Sequence, residues 1–184
     1  MDSKLVLKGK HILAVDDEED ILEIIKELLE DSRVDTANDY ESASQKINET
    51  RYDLAILDIM GVNGLKLLEE AVERGIPAVM LTANAINSET LISSIDKGAI
   101  AYLPKEKLSE LDELLGRILS AHDRGEPPWK LLFDLLGDYF DQIFGPDWKK
   151  KDQEFWTELS RSYHVGKGIK ERLLHDEKVL GKGI

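Results

Sequence analysis

The sequence predicts an α/β fold: a doubly wound five-stranded parallel sheet followed by a small α-helical extension. Three observations predict it. Short apolar runs alternate with stretches of helical periodicity over roughly the first 120 residues. The central run, Leu54-Ala55-Ile56-Leu57, is apolar without alternation, as a strand buried on both faces must be. Polar or charged residues stand where the runs end, at Asp16, Asp58, Thr82 and Lys105, and in an open parallel sheet ligands bind at those carboxyl ends.

The elements follow in order. His11-Ile12-Leu13-Ala14-Val15 is the first strand, ending in five acids, Asp16 to Asp20. Ile21, Leu22, Ile24, Ile25, Leu28 and Leu29 then recur at helical spacing, and Glu18, Glu19 and Asp20 suit the dipole of that helix's first turn. Arg33 to Ala37 is a second strand, polar enough for a sheet edge, and Asp39 is placed to cap a helix through Ile47. Leu54 to Leu57 is the third strand. A helix carrying Leu65, Leu67, Leu68, Ala71 and Val72 follows and ends at Gly75. Pro77 to Thr82 is the fourth strand, with the proline at its first residue, where a missing N–H is tolerated. A more polar helix from about Ser88 to Lys97 closes at Gly98, and Ala99 to Leu103 is the fifth strand. The fifth helix is marked by Leu108, Leu111, Leu114, Leu115, Ile118 and Leu119. The expected strand order is 2-1-3-4-5, the flavodoxin-like arrangement.

That order brings Asp16, Asp17, Asp58, Thr82 and Lys105 to one edge. Three carboxylates together repel unless a cation stands among them, and hard oxygen ligands with open positions suit Mg²⁺. An ionised aspartate can be a nucleophile that forms an aspartyl-phosphate. A lysine and a hydroxyl would then neutralise the charge spreading over a transferred phosphoryl group. A flavin phosphate would be repelled by the acids after the first strand. A haloacid dehalogenase phosphatase would carry a second Asp two residues after the nucleophile, where Met60 stands.

Asp16-Asp17, Asp58, Thr82-Ala83 and Tyr102 with Pro104-Lys105, in this order at strand ends, resemble the receiver domain of two-component response regulators over residues 10–121. The resemblance implies that Asp58 accepts phosphate from a histidine kinase or phosphotransfer protein. It implies Mg²⁺ on Asp17, Asp58 and the backbone carbonyl of Met60, with Asp16 acting largely through water. Lys105 and Thr82 would contact the phosphoryl group, small Ala83 would leave access to it, and Tyr102 would be the switch aromatic that moves inward. The sequence departs from the family in one loop: Met60-Gly61-Val62-Asn63-Gly64 lacks the usual proline, and Gly64 follows the acceptor by only six residues instead of about eight.

Residues 1–121 are therefore expected to form the receiver, 122–128 a stiff linker containing Pro127-Pro128, and 129–184 a helical extension. Trp129, Leu132, Phe133, Leu136, Phe140, Ile143 and Phe144 recur at helical spacing until Gly145-Pro146, and Asp147 is placed to cap a further helix with Trp148, Phe155, Trp156, Leu159 and Tyr163. So wide an apolar stripe needs cover, from the receiver or from a second copy in a homodimer. Net charge is −13. Residues 1–122 hold 13 basic and 25 acidic residues, a net of −12, and residues 123–184 hold 11 and 12, a net of −1. This balance disfavours nucleic acid, although a transcription regulator whose C-terminal helices bind DNA is the competing class. The four histidines are scattered, and there is no cysteine for a disulfide or thiolate site. With no signal-like segment and no long uncharged apolar run, a cytoplasmic location away from membranes is expected.

Overall fold

The computed structural model describes residues 2–83 and 87–159. The sheet has order β2-β1-β3-β4-β5 and every pairing is parallel. The strands are β1 (His11–Val15), β2 (Arg33–Ala37), β3 (Leu54–Asp58), β4 (Ala78–Thr82) and β5 (Ala101–Pro104). β3 and β4 are buried at every residue, while β2, the edge strand, is covered only at Ala37. Ile12, Leu13, Leu54, Ile56, Leu57 and Met80 form the centre of the core.

The helices are α1 (Ser3–Leu7), α2 (Glu19–Leu28), α3 (Tyr40–Glu49), α4 (Gly64–Glu73), α5 (Ser88–Asp96), α6 (Leu111–Asp123) and α7 (Pro128–Phe144). Local chemistry starts and stops them. Asp39 accepts from the Ser42 N–H at 2.7 Å and caps α3, and Asn87 accepts from the Thr90 N–H at 2.9 Å and caps α5. Glycines in the left-handed region end α4, at Gly75, and α7, at Gly145. Across α3 and α4, Glu70 accepts from Tyr40, Ser44 and Asn48.

The structure differs from the sequence reading in three places. A helix, α1, precedes β1. Its Leu7 is buried, its Leu7 carbonyl accepts from Ser32 Oγ at 2.8 Å, and the Ser3 backbone lies so close to Gly116 of α6 that a Cβ there would overlap it. The fifth expected helix opens as a 3-10 segment, Lys105–Glu110, before α6 begins. Asp147 holds a turn and pairs with Lys150 at 2.8 Å, and the chain passes through a 3-10 turn at Lys150–Asp152 before residues 153–159 become helical.

Two compact units divide inside α7, as residues 1–137 and 138–184. In the second, Phe140 stacks on Phe144 at 5.7 Å, Trp148 meets both edge-on, and Trp156 meets Trp148 at 5.8 Å. Trp148 Nε1 donates to Asp141 Oδ1 at 2.9 Å. Phe140 and Trp148 are thus buried in an aromatic cluster of their own unit. The side chains of Trp129 and Leu132, and residues Tyr163, His164 and His175, lie outside the described residues.

At the amino end of the sheet, His11 Nε2 lies 2.8 Å from Asp35 Oδ2, and the Tyr52 hydroxyl donates to the same oxygen at 3.0 Å. Burial works against the Asp35 anion, but these two partners outweigh it and hold its carboxyl below the usual range.

Candidate functional site

Register sets the site. Val15 pairs with Leu57, so the next residues, Asp16 and Asp58, leave the sheet level with each other. Asp58 pairs with Leu81 and Thr82 with Pro104, so Thr82 and Lys105 emerge one residue further along the same edge. Three of these side chains are drawn together. Lys105 Nζ lies 2.8 Å from Asp16 Oδ2 and 3.6 Å from Asp58 Oδ1. Thr82 is buried beside them in sequence register, and its Oγ1 has no hydrogen-bond partner among the described residues.

The electrostatics follow from burial. Asp16 and Asp58 are almost wholly removed from water. Burial raises the Asp16 pKa, against the opposing pull of Lys105 and the Glu18 N–H. Burial, then the negative charge of Asp16, pushes Asp58 up to about 7, with Lys105 opposing and Asp17 adding. Burial alone would lower the Lys105 pKa, but Asp16, Glu18 and Asp58 together hold it above its ordinary value. The site therefore carries more negative charge than its one lysine balances.

Asp17 is exposed, yet its carboxylate rests against the loop after β3. A Cβ at Gly61 would lie 2.5 Å from Asp17 Cγ, and Gly61 has φ +83. Only glycine meets both demands. Asn63 also takes a left-handed conformation, and Gly64 lies directly on the Asp58 backbone. The shortened loop is closed by these close approaches. Met60, in this loop, is exposed.

Tyr102 lies on β5 and is buried. Glu18 is a residue that sequence reasoning missed. Read as a helix-dipole acid, it instead reaches Lys105, with Oε1 3.0 Å from Nζ. Among the described residues, Asp16, Asp17 and Glu18 bring carboxylate oxygens within 4.8 Å of one another, a grouping that could hold a cation and that adds Glu18 to the acids expected there. The signal in the sequence was the run of five acids opposite a single strand-end lysine.

No helix among the described residues is long and apolar enough to cross a membrane. Residues 12–118 match the response regulator receiver domain family. The chain is 36 % identical over 123 residues to the phosphate regulon transcriptional regulatory protein PhoB of Klebsiella pneumoniae, covering 60 % of this chain and 53 % of that protein. It is 34 % identical over 122 residues to the transcriptional regulatory protein CpxR homolog of Haemophilus influenzae, covering 64 % and 52 %. The chain thus spans about half the length of the curated relatives it matches. Among solved structures it resembles a CheY-like response regulator receiver domain protein from Methanospirillum hungatei (30 % identity, TM-score 0.51, 60 % of this chain and 97 % of that one). It also resembles a two-component response regulator from Clostridium difficile (25 % identity, TM-score 0.56, 61 % and 97 %). The acids and lysine gathered at the sheet edge therefore sit within a matched domain, and the chain belongs to the response regulator receiver family.

Proposed function

We propose that Asp58 is the phosphoryl acceptor of a two-component phosphorelay, supplied by a histidine kinase or phosphotransfer protein. The observation that carries this reading is Lys105 held between Asp16 and Asp58 on one sheet edge. A carboxylate oxygen of Asp58 attacks phosphorus, the bond from phosphorus to the donor nitrogen breaks, and its electron pair leaves with the donor imidazole. Lys105 neutralises charge on the transferred group. The partnerless Thr82 hydroxyl supplies a donor that has nothing else to bond among the described residues. Tyr102 on β5, next to β4, would be the aromatic that moves inward with that rearrangement.

The donor set fits Mg²⁺: hard oxygens only, and surplus negative charge with Asp58 pushed up to about 7. Asp17, Asp58 and the Met60 carbonyl would hold it, with Asp16 through water. When bound, Mg²⁺ supplies positive charge beside the acceptor and the phosphoryl oxygens. The domain is thus a phosphoacceptor that modifies its own aspartate.

For residues 129–184 we favour an interaction or homodimer surface, in a cytoplasmic protein. The two relatives' names make them transcriptional regulators. The net charge of −13, with only a near-neutral tail, favours a protein partner over DNA for this chain. The test is labelling with a small phosphodonor and Mg²⁺. The full chain should gain one acid-labile phosphate and Asp58→Ala none. Equal labelling of both would remove the mechanism.

A further inference from the structure

Glu18 closes a ring around the site lysine. Its backbone N–H donates to Asp16 Oδ1 at 2.9 Å, Asp16 Oδ2 holds Lys105 Nζ at 2.8 Å, and Glu18 Oε1 holds the same Nζ at 3.0 Å. Asp58 is the remote partner, at 3.6 Å. Glu18 stands at the N-cap of α2 in an extended conformation, and its side chain makes no capping bond, so its carboxylate is available to the lysine. Its neighbour Glu19 points to a different partner, accepting from Asn38 Nδ2 at 2.8 Å. The Lys105 side chain is enclosed while that of Glu18 is 61 % exposed. The Glu18 contact is therefore the releasable side of the ring.

We infer that Glu18 is a positioning residue that holds the Lys105 ammonium toward β1 and away from the acceptor, and so sets how readily the phosphorylated state forms. This rests on the reading of Asp58 as acceptor. An anionic group on Asp58 must draw Lys105 across, and the lost contact with Glu18 opposes it. A ligand shifts such an arrangement only by its differential affinity, so removing the competing contact strengthens binding of a phosphoryl mimic.

The experiment titrates the full chain with beryllofluoride at saturating Mg²⁺, by calorimetry, in the wild type, Glu18→Gln, Glu18→Asp and Glu19→Gln. An exposed ion pair predicts about two- to fivefold tighter binding in both Glu18 variants. Glu18→Asp keeps the charge but shortens the reach, and Glu19→Gln removes a neighbouring charge without touching Lys105; the latter should match the wild type. Without fluoride, the Lys105 side-chain NMR resonances should move in both Glu18 variants and stay in place in Glu19→Gln. Wild-type affinity in Glu18→Asp, or unchanged lysine resonances, would overturn the inference while leaving the acceptor reading intact. Absence of binding in every chain, the wild type included, would overturn the acceptor reading itself.

Discussion

Gly64 presses on the backbone of Asp58: a Cβ there would overlap the Asp58 carbonyl oxygen, with Ile59 Cα also within 2.9 Å. The loop after the acceptor is short because this contact closes it. Gly64→Ala should therefore destabilise the domain by about 2–3 kcal/mol, since the obstacle is backbone and cannot rotate away. It should also slow labelling of Asp58. Denaturant unfolding and phosphodonor labelling check the two effects, and an unchanged midpoint would show that the loop has slack.

The raised pKa of Asp58 has a stability consequence. The folded state binds this proton more tightly than the unfolded chain, whose Asp titrates near ~3.9. Stability is therefore lost as pH rises from ~4 through the folded value of about 7, and the loss is complete above it. Without divalent cations, Asp58→Asn should melt a few degrees above the wild type at pH ~8, with the gap closing by pH ~5. A gap that ignores pH would mean that charge repulsion is not its origin.

Removing a hard anionic ligand should show directly in metal binding. Asp17→Asn should weaken Mg²⁺ at least about tenfold, without unfolding the chain, because Asp17 is exposed. Calorimetric titration measures it. An unchanged affinity would exclude Asp17 as a ligand and shift attention to Asp16 with Glu18.

At the other end of the sheet, Asp35 carries an acid-sensitive contribution. Its folded pKa is depressed, so the stabilisation is present above the unfolded value and lost as pH falls through the folded one. Tyr52→Phe deletes one of the two bonds responsible, at a cost of about 1 kcal/mol near neutrality and less at pH ~3. Urea midpoints at the two pH values should separate.

Trp148 anchors the aromatic cluster of residues 138–159. Trp148→Ala should cost that unit about 3 kcal/mol or more. Amide exchange would then accelerate there while β1 and β3 stay protected. Global acceleration would mean that the two units unfold together.

Much of this was legible in the sequence for a physical reason. β1, β3 and β4 carry unbroken apolar runs because both faces of a central parallel strand are covered, and such runs stand out in a chain this charged. The strand-end residues were legible through topology: once the order 2-1-3-4-5 is fixed, Asp16, Asp58, Thr82 and Lys105 must share an edge. α1 was not legible, since five residues give no period to read and the helix is held by tertiary contact with α6. Glu18 was hidden behind a competing explanation, the helix dipole, that accounts for any acid in its position. The aromatic stripe announced burial, but periodicity alone does not say which rings meet which.

The notch at Gly116 fixes the order in which the protein can mature. α1 leaves the ribosome ahead of α6, yet a helix of five residues is unstable in isolation. Its seat on α6 is translated roughly a hundred residues later, a delay on the order of ten seconds. A segment made before the sheet thus settles after it. Docking of α1 on α6 therefore marks a domain whose every strand has already been delivered.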